Sequence, residues 1–328
     1  MAQARKSDLF LLAMNQFVWG VGWSAIKYPQ SQMGPVTLDF WTLGISVVVL
    51  YPFVHRDLLA NPLAHFGNAR KLTGQDYRDY CIMGFVGLTG MTLLYNWGAG
   101  RSLAANGALI SMAVPILTAV IAVLILSEKM TIGRVVSLVI ALAGVLIISD
   151  MHWGKLNLLG GYLLGDLLLL GGAICNAIYV VFSKRLLTIA SPTILLFWGQ
   201  LLGFLGTLPF LLVEGPDLRA VLDYRWQTWL SLIFLGVVYF AVAMLIFYRI
   251  LVRLDAGQIM VSNYLQPFFG VLMAALLLRE RVTVTMVIGG LLVIGGTALA
   301  TFEESWRVKK GGVANPAGDG PGTTVREK

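Results

Sequence analysis

The chain has 328 residues, 57% hydrophobic and 12% charged, with a mean hydropathy of +0.78. Soluble domains carry about 25% charged residues; half that share cannot coat a water-facing surface, so lipid must be the solvent for most of the chain. The net charge of +7 does not point to nucleic acid, because the basic residues fall between apolar runs instead of gathering on one element, as they do in the loops of membrane proteins.

In chain order, ten segments approach the ~20 mainly apolar residues that a spanning helix needs. They cover residues 8–27, 36–54, 80–100, 102–126, 132–148, 161–183, 192–213, 226–250, 256–278 and 282–302. The first follows Arg5 and Lys6, is longer than a signal-peptide core, contains Trp19 and Trp23 and ends at Lys27, so it reads as a spanning helix. Several connections are only a few residues long, which makes successive helices antiparallel neighbours. Residues 303–328 turn to Gly, Pro and charge and read as a disordered tail. With ten spans and both termini on one side, that side collects 17 of the 24 Lys and Arg and the other collects 7. Both termini are therefore expected in the cytoplasm, although Arg279 and Arg281 run against the bias. Cys81 and Cys175 lie in apolar segments far apart in sequence and form neither a disulfide framework nor a metal pattern; no cofactor is expected.

The chain repeats itself. Pro115, Glu128, Thr131 and Gly144 match Pro267, Glu280, Thr283 and Gly296, each pair 152 residues apart. Nearer the start, Lys27, Pro35, Trp41, Pro52 and Phe53 match Lys184, Pro192, Trp198, Pro209 and Phe210, each pair 157 apart. The offset changes between Phe53 and Tyr80, in the longest hydrophilic loop, where length differences belong. The reading is an all-α integral membrane protein of five helices plus five, with domains 1–155 and 156–302. Five crossings are odd, so the second half starts from the opposite side and is inverted relative to the first. Such pairs hold a substrate site near mid-depth between the halves, and transporters are their usual product.

The residues Phe17–Gly20 through Lys27, Pro115 to Glu128, Gly165-Asp166 and Pro267 to Glu280 make the chain resemble the drug/metabolite transporter superfamily, specifically the EamA-type exporters with two five-helix repeats. The resemblance spans about residues 8–302. It implies a secondary transporter of the bacterial inner (cell) membrane, a monomer or homodimer, with a small-molecule metabolite as its partner besides the bilayer. Relatives often carry an Arg early in the second helix, where this chain reads Asp39-Phe40-Trp41-Thr42, so their substrate specificity need not carry over.

An ionisable side chain at the bilayer centre costs about 2.5–3.5 kcal/mol, and none falls at the middle of a span. Asp39 and Asp166 come nearest, as candidates for proton or cation coupling; carboxylates near helix starts are also favourable in their own right. The mid-span polar residues are neutral: Asn15 and Trp19 in the first helix, Asn96 in the third, Asn106 and Ser111 in the fourth, Asn176 and Tyr179 in the sixth, Tyr239 in the eighth, and Asn263, Tyr264 and Gln266 in the ninth. Amides, hydroxyls and indoles offer donors and acceptors without a standing charge, which suits a zwitterionic or neutral metabolite. Any one of them could instead be an interhelical hydrogen bond of about 0.6 kcal/mol; as a set they gather on repeat-equivalent helices. Pro115 and Pro267 are either static kinks or hinges around the pathway. Glu128 and Glu280 sit at the membrane boundary and read as turn caps paired with a neighbouring base, and Trp41 and Trp198 as interfacial anchors.

The function expected is export of amino acids or similar small metabolites by alternating access. A nucleotide-sugar exchanger is the alternative, and would want cations for the diphosphate; a lipid-handling protein of the same fold would want a lateral groove. An enzyme is not expected: His55, His65 and His152 fall in loops, and no metalloprotease or nucleophile-elbow motif is present. No phosphate-cradling Gly-rich loop followed by Lys occurs either, so a gradient must drive transport.

Overall fold

The computed structural model describes residues 6–60, 72–114, 116–118, 120–121, 132–148, 162–215, 218–251 and 265–310. The regular structure among them is helical. Helix α1 is Lys6–Ala25, α2 Pro35–Ala60, and α3 residues 74–99. Helix α4 is Ala104–Ile110, running on into the 3-10 turn Ser111–Ala113; α5 is Ile132–Ile148, α6 Leu163–Leu186 and α7 Pro192–Glu214. Helix α8 covers residues 226–251, α9 is Leu265–Leu278 and α10 Val284–Lys310.

Local chemistry sets several of the ends. Thr73 and Asp76 form a reciprocal capping box at the start of α3. Ser191 caps α7, with Pro192 at the first helical position, and Gly215, at φ 62°, ends it in the left-handed conformation.

Four of these helices are long and apolar enough to cross a membrane: Pro35–His55, Leu163–Leu186, Pro192–Glu214 and Trp226–Ile250; shorter apolar helices accompany them. The burial pattern is that of a protein in lipid. Phe10, Val48, Leu212, Val213, Leu276 and Leu291 face outward, while Asn15, Ser46, Ser137, Gln200 and Thr207 are buried.

The helix starts keep the sequence offsets. Leu163 of α6 and Pro192 of α7 lie 157 residues after Lys6 and Pro35; Trp226 and Val284 lie 152 after Gly74 and Ile132. Helices α3 and α8 even share an irregularity: each widens into a π-helix, at Ile82–Thr89 and Phe234–Ala243, starting 152 residues apart.

Packing repeats with the halves exchanged. Pairs α2–α7, α4–α9 and α5–α10 join equivalent helices, while α3 packs on α7 as α8 packs on α2. The close contacts follow suit. A Cβ on Gly84 would lie 2.3 Å from Leu202 Cβ, and one on Gly236, 152 further on, 2.7 Å from Ile45, which is 157 before Leu202. In α5–α10, Gly144 meets Gly289 and Val293 while Gly296 meets Ser137 and Ala141, the same contact read from the other side. Only glycine permits such approach, so these positions fix how near the helix axes come.

Candidate functional site

A cavity of about 220 Å³ lies among α1, α3, α4, α6, α8 and α9. Its walls are rings: Trp19 meets Phe247 edge-on at 5.0 Å, Trp23 meets Tyr95 at 5.1 Å, and Tyr179 stacks on Tyr248 at 6.5 Å. Its polar groups are neutral. Gln266 donates to the Ser111 hydroxyl (3.3 Å) and Tyr248 to that of Ser183 (2.8 Å), and Thr118 and Asn176 also line it. The indole N–H groups of Trp19 and Trp23 are buried with no partner among the described residues. An unpaired buried donor costs about 1–3 kcal/mol, so these two are available to a ligand. Lys184, exposed at the end of α6, is the single charged residue among the lining residues.

The structure brings together Trp19, Ser111, Asn176, Tyr179, Tyr239 and Gln266 of the sequence-derived set. It assigns others to interhelical bonds. Asn15 donates to the Ala243 carbonyl at 3.0 Å and ties α1 to α8. Asn106 donates to both carboxylate oxygens of Asp166 (3.3 and 3.2 Å), which also accepts from Ser102, so Asp166 joins the start of α6 to the start of α4. Asn96 donates to Asp39 at 2.6 Å and lines a smaller cavity of about 30 Å³ that shares Trp23, Met91, Tyr95, Tyr239 and Phe240 with the main one. Asp39, early in α2, is buried within the protein. Asn263, Tyr264, Pro115 and Glu128 lie outside the described residues; Pro267 is buried in the first turn of the described part of α9.

At the end of the molecule where α1 finishes, side chains reach backbone. Lys27 donates to the carbonyls of Ala99 and Ser102, and Gln30 to that of Asn96 (2.7 Å). Glu280 accepts from the N–H groups of Ala104 and Ala105 (2.9 and 3.1 Å), and Glu214 from those of Val36 and Thr37 (3.0 and 2.8 Å). A carboxylate at a helix N-terminus satisfies orphan donors and complements the dipole. Glu280 is thus a cap, as its boundary position led one to expect, but of a helix in the other half and not of its own turn. The preceding residue, Arg279, holds a left-handed φ of 56° that turns the chain out of α9. At the other end, among the described residues, Arg185 pairs with Asp79 at 3.1 Å and joins α6 to α3.

Several of these residues escape sequence reasoning. Glu214 sits one residue before a glycine and has an acidic counterpart 157 residues earlier, Asp57, which would have flagged it. Met91, Tyr95, Phe240 and Met244 line the cavity from within or beside the π segments, where a 3.6-residue period no longer says which face a side chain is on.

The model of the EamA-like transporter family matches residues 6–150 and again 163–302. The chain is similar to a protein of Escherichia coli K12 named "Probable amino-acid metabolite efflux pump", 24% identical over 92% of this chain and 97% of that one. A protein of Streptantibioticus cattleyicolor named "Probable terminal-alkyne amino-acid exporter" is 22% identical over 89% and 92%. An "Uncharacterized transporter" of Archaeoglobus fulgidus is 24% identical over 87% and 95%. One solved crystal structure, 20% identical, superposes with a TM-score of 0.60 over 92% of this chain and 97% of its own, a likeness of fold.

Proposed function

We propose a function from this premise: the chain belongs to the EamA-like transporter family and is a membrane transporter. Its cargo, on this reading, is an amino acid or a similar small zwitterionic metabolite, exported by alternating access between two inverted five-helix halves with both termini in the cytoplasm. The observation that carries the reading is the cavity itself, with ring walls, amide and hydroxyl groups, and one charge at its mouth. Pockets for drug-sized ligands run to ~300–1,000 Å³; about 220 Å³ suits something smaller. A nucleotide sugar would bring a diphosphate and need several cations, whereas Lys184 is the one the lining supplies. The names of the Escherichia coli and Streptantibioticus relatives support the same cargo class. Trp19, Tyr179, Tyr239 and Gln266 are assigned to substrate contact together with Asn176 and Ser111, and Asp39, buried and accepting from Asn96, to coupling.

The test is radiolabelled amino-acid flux into proteoliposomes under an imposed gradient. Saturable movement of at least one amino acid is expected, and Asn176→Ala should slow it by about tenfold, the scale of one lost hydrogen bond, without lowering the thermal midpoint of the purified protein. Exchange of nucleotide sugars with no amino-acid flux would replace this reading with the alternative one.

A further inference from the structure

The small cavity beside the main one is lined from α1, α2, α3 and α8. Besides the phenols of Tyr95 and Tyr239, its polar groups are Thr42, Thr92 and Asn96, all buried. Each of the three offers an acceptor. Thr42 gives its hydroxyl proton to the Leu38 carbonyl (2.9 Å) and Thr92 to that of Thr89 (3.3 Å), which leaves lone pairs on both oxygens. Asn96 gives an amide N–H to Asp39 at 2.6 Å, and its amide oxygen accepts nothing among the described residues. Behind Asn96, Asp39 is 1% exposed, its second carboxylate oxygen has no hydrogen-bond partner, and no lysine or arginine pairs with it among the described residues. A buried carboxylate without a counter-charge is costly.

Packing of the repeat does not ask for these groups. The positions equivalent to Asp39 and Thr42, 157 further on, hold Leu196 and Gly199; those equivalent to Thr92 and Asn96, 152 further on, hold Met244 and Tyr248. Leu196 and Tyr248 are as fully buried as their polar counterparts, so the fold accepts apolar and aromatic side chains there. A space of about 30 Å³ holds a water or one small head group, not a whole amino acid. A single ordered water is the plain alternative; it satisfies acceptors but brings no charge to Asp39. The wall between the two cavities is made of Trp23, Met91, Tyr95, Tyr239 and Phe240, and aromatic faces attract a cation.

We propose that the small cavity is a head-group subsite for a primary ammonium. The body of the substrate stays in the main cavity, with any carboxylate on the side that Lys184 lines. Its ammonium passes between the shared rings and gives its three N–H groups to the Asn96 amide oxygen and the Thr42 and Thr92 hydroxyl oxygens. Asp39 supplies the counter-charge from behind Asn96. A proton on that carboxyl answers the same need in the absence of substrate, so the two exclude each other, in keeping with the coupling assigned to Asp39. Asp39→Asn therefore lowers affinity and spares exchange at saturating substrate. The inference rests on the reading of the cargo as an amino acid or its like, and it names the group by which that cargo is chosen.

The experiment is isothermal titration of the purified full chain with two series of fixed skeleton. One is L-leucine, isopentylamine and 4-methylpentanoate; the other is L-phenylalanine, phenethylamine and 3-phenylpropanoate. The N,N,N-trimethyl forms of both amines complete them. In at least one series the amino acid and the amine are expected to bind, and the deaminated acid and the trimethyl compound to bind at least about tenfold more weakly, the scale of one hydrogen bond to a charged group. Thr42→Val and Thr92→Val keep the side-chain shape and remove an acceptor; each should weaken the primary ammonium compounds by a similar factor and leave the acids unchanged. Acids or trimethyl compounds binding as tightly as the primary amines, no binding by any primary amine or amino acid, or unchanged affinities in both valine variants overturns the proposal. The wild-type series decides alone if the variants do not fold. Amines that bind without amino-acid flux would keep the subsite and remove the cargo; flux that deaminated acids inhibit as well as amines do would keep the cargo and remove the subsite.

Discussion

Asp39 is the residue to which we assign coupling in the proposed function. It is buried with Thr92 and Asn96 as its polar neighbours, Asn96 donating at 2.6 Å. Asparagine has the same shape and no titrating proton, so Asp39→Asn separates two roles. If the carboxylate carries the coupling proton, the variant loses acceleration by an imposed proton gradient and keeps exchange of labelled for unlabelled substrate at equilibrium. Equal loss of both, read in the same proteoliposomes, would make Asp39 a packing residue. Glu280 makes a different case. Glu280→Ala removes two caps from α4 and should cost about 1–2 kcal/mol, seen as a lower midpoint of thermal unfolding, with Glu280→Gln intermediate. The sequence gives no burial for Asp39: counting from the helix start puts it near an interface, and only the docked helices show it buried beside Asn96.

At the scale of an element, α10 carries its own control. A Cβ on Gly296 would stand 2.7 Å from the Ser137 carbonyl oxygen and 3.0 Å from the Ala141 amide nitrogen, both backbone atoms of α5, while one on Gly295 would meet nothing within 4 Å. Gly296→Ala should therefore push α10 off α5 and lower the unfolding midpoint. Gly295→Ala should raise it or leave it level, because alanine favours a helix over glycine by up to about 1 kcal/mol. The sequence marks Gly144 and Gly296 as equivalent positions. It does not say that each faces the other's helix, since this depends on a two-fold relation that appears only when the halves dock. The cavity was legible in the same partial way. Trp19, Asn176 and Gln266 announce themselves as polar or aromatic groups in apolar helices, whereas Met91 and Phe247 look like ordinary lipid-facing residues until the widened turns of α3 and α8 re-aim them.

For the molecule as a whole, the duplication was the most legible feature, because matched prolines, glycines and carboxylates survive in both copies and loops absorb the length difference. Topology follows as an expectation that can be checked directly. A fluorescent protein fused after Lys328 should light up in the cytoplasm, and alkaline phosphatase inserted at Arg101, on an exposed turn, should be active on the opposite face. Both reporters on one face would break the five-plus-five scheme and leave family membership standing. The ties at the Lys27 end were not legible at all: nothing in the residue order pairs Lys27, Gln30, Glu214 and Glu280 with the backbone groups they bond in the docked structure.

The widened turns also date themselves. A π segment interrupts an α-helix the way one inserted residue does, and it shifts the phase of everything beyond it. Ile82–Thr89 and Phe234–Ala243 begin at corresponding places. Two independent insertions at one spot are a poorer account than a single older one, so the extra residue was already there when the gene doubled. The ancestor was then a half-length polypeptide whose third helix was irregular from the outset.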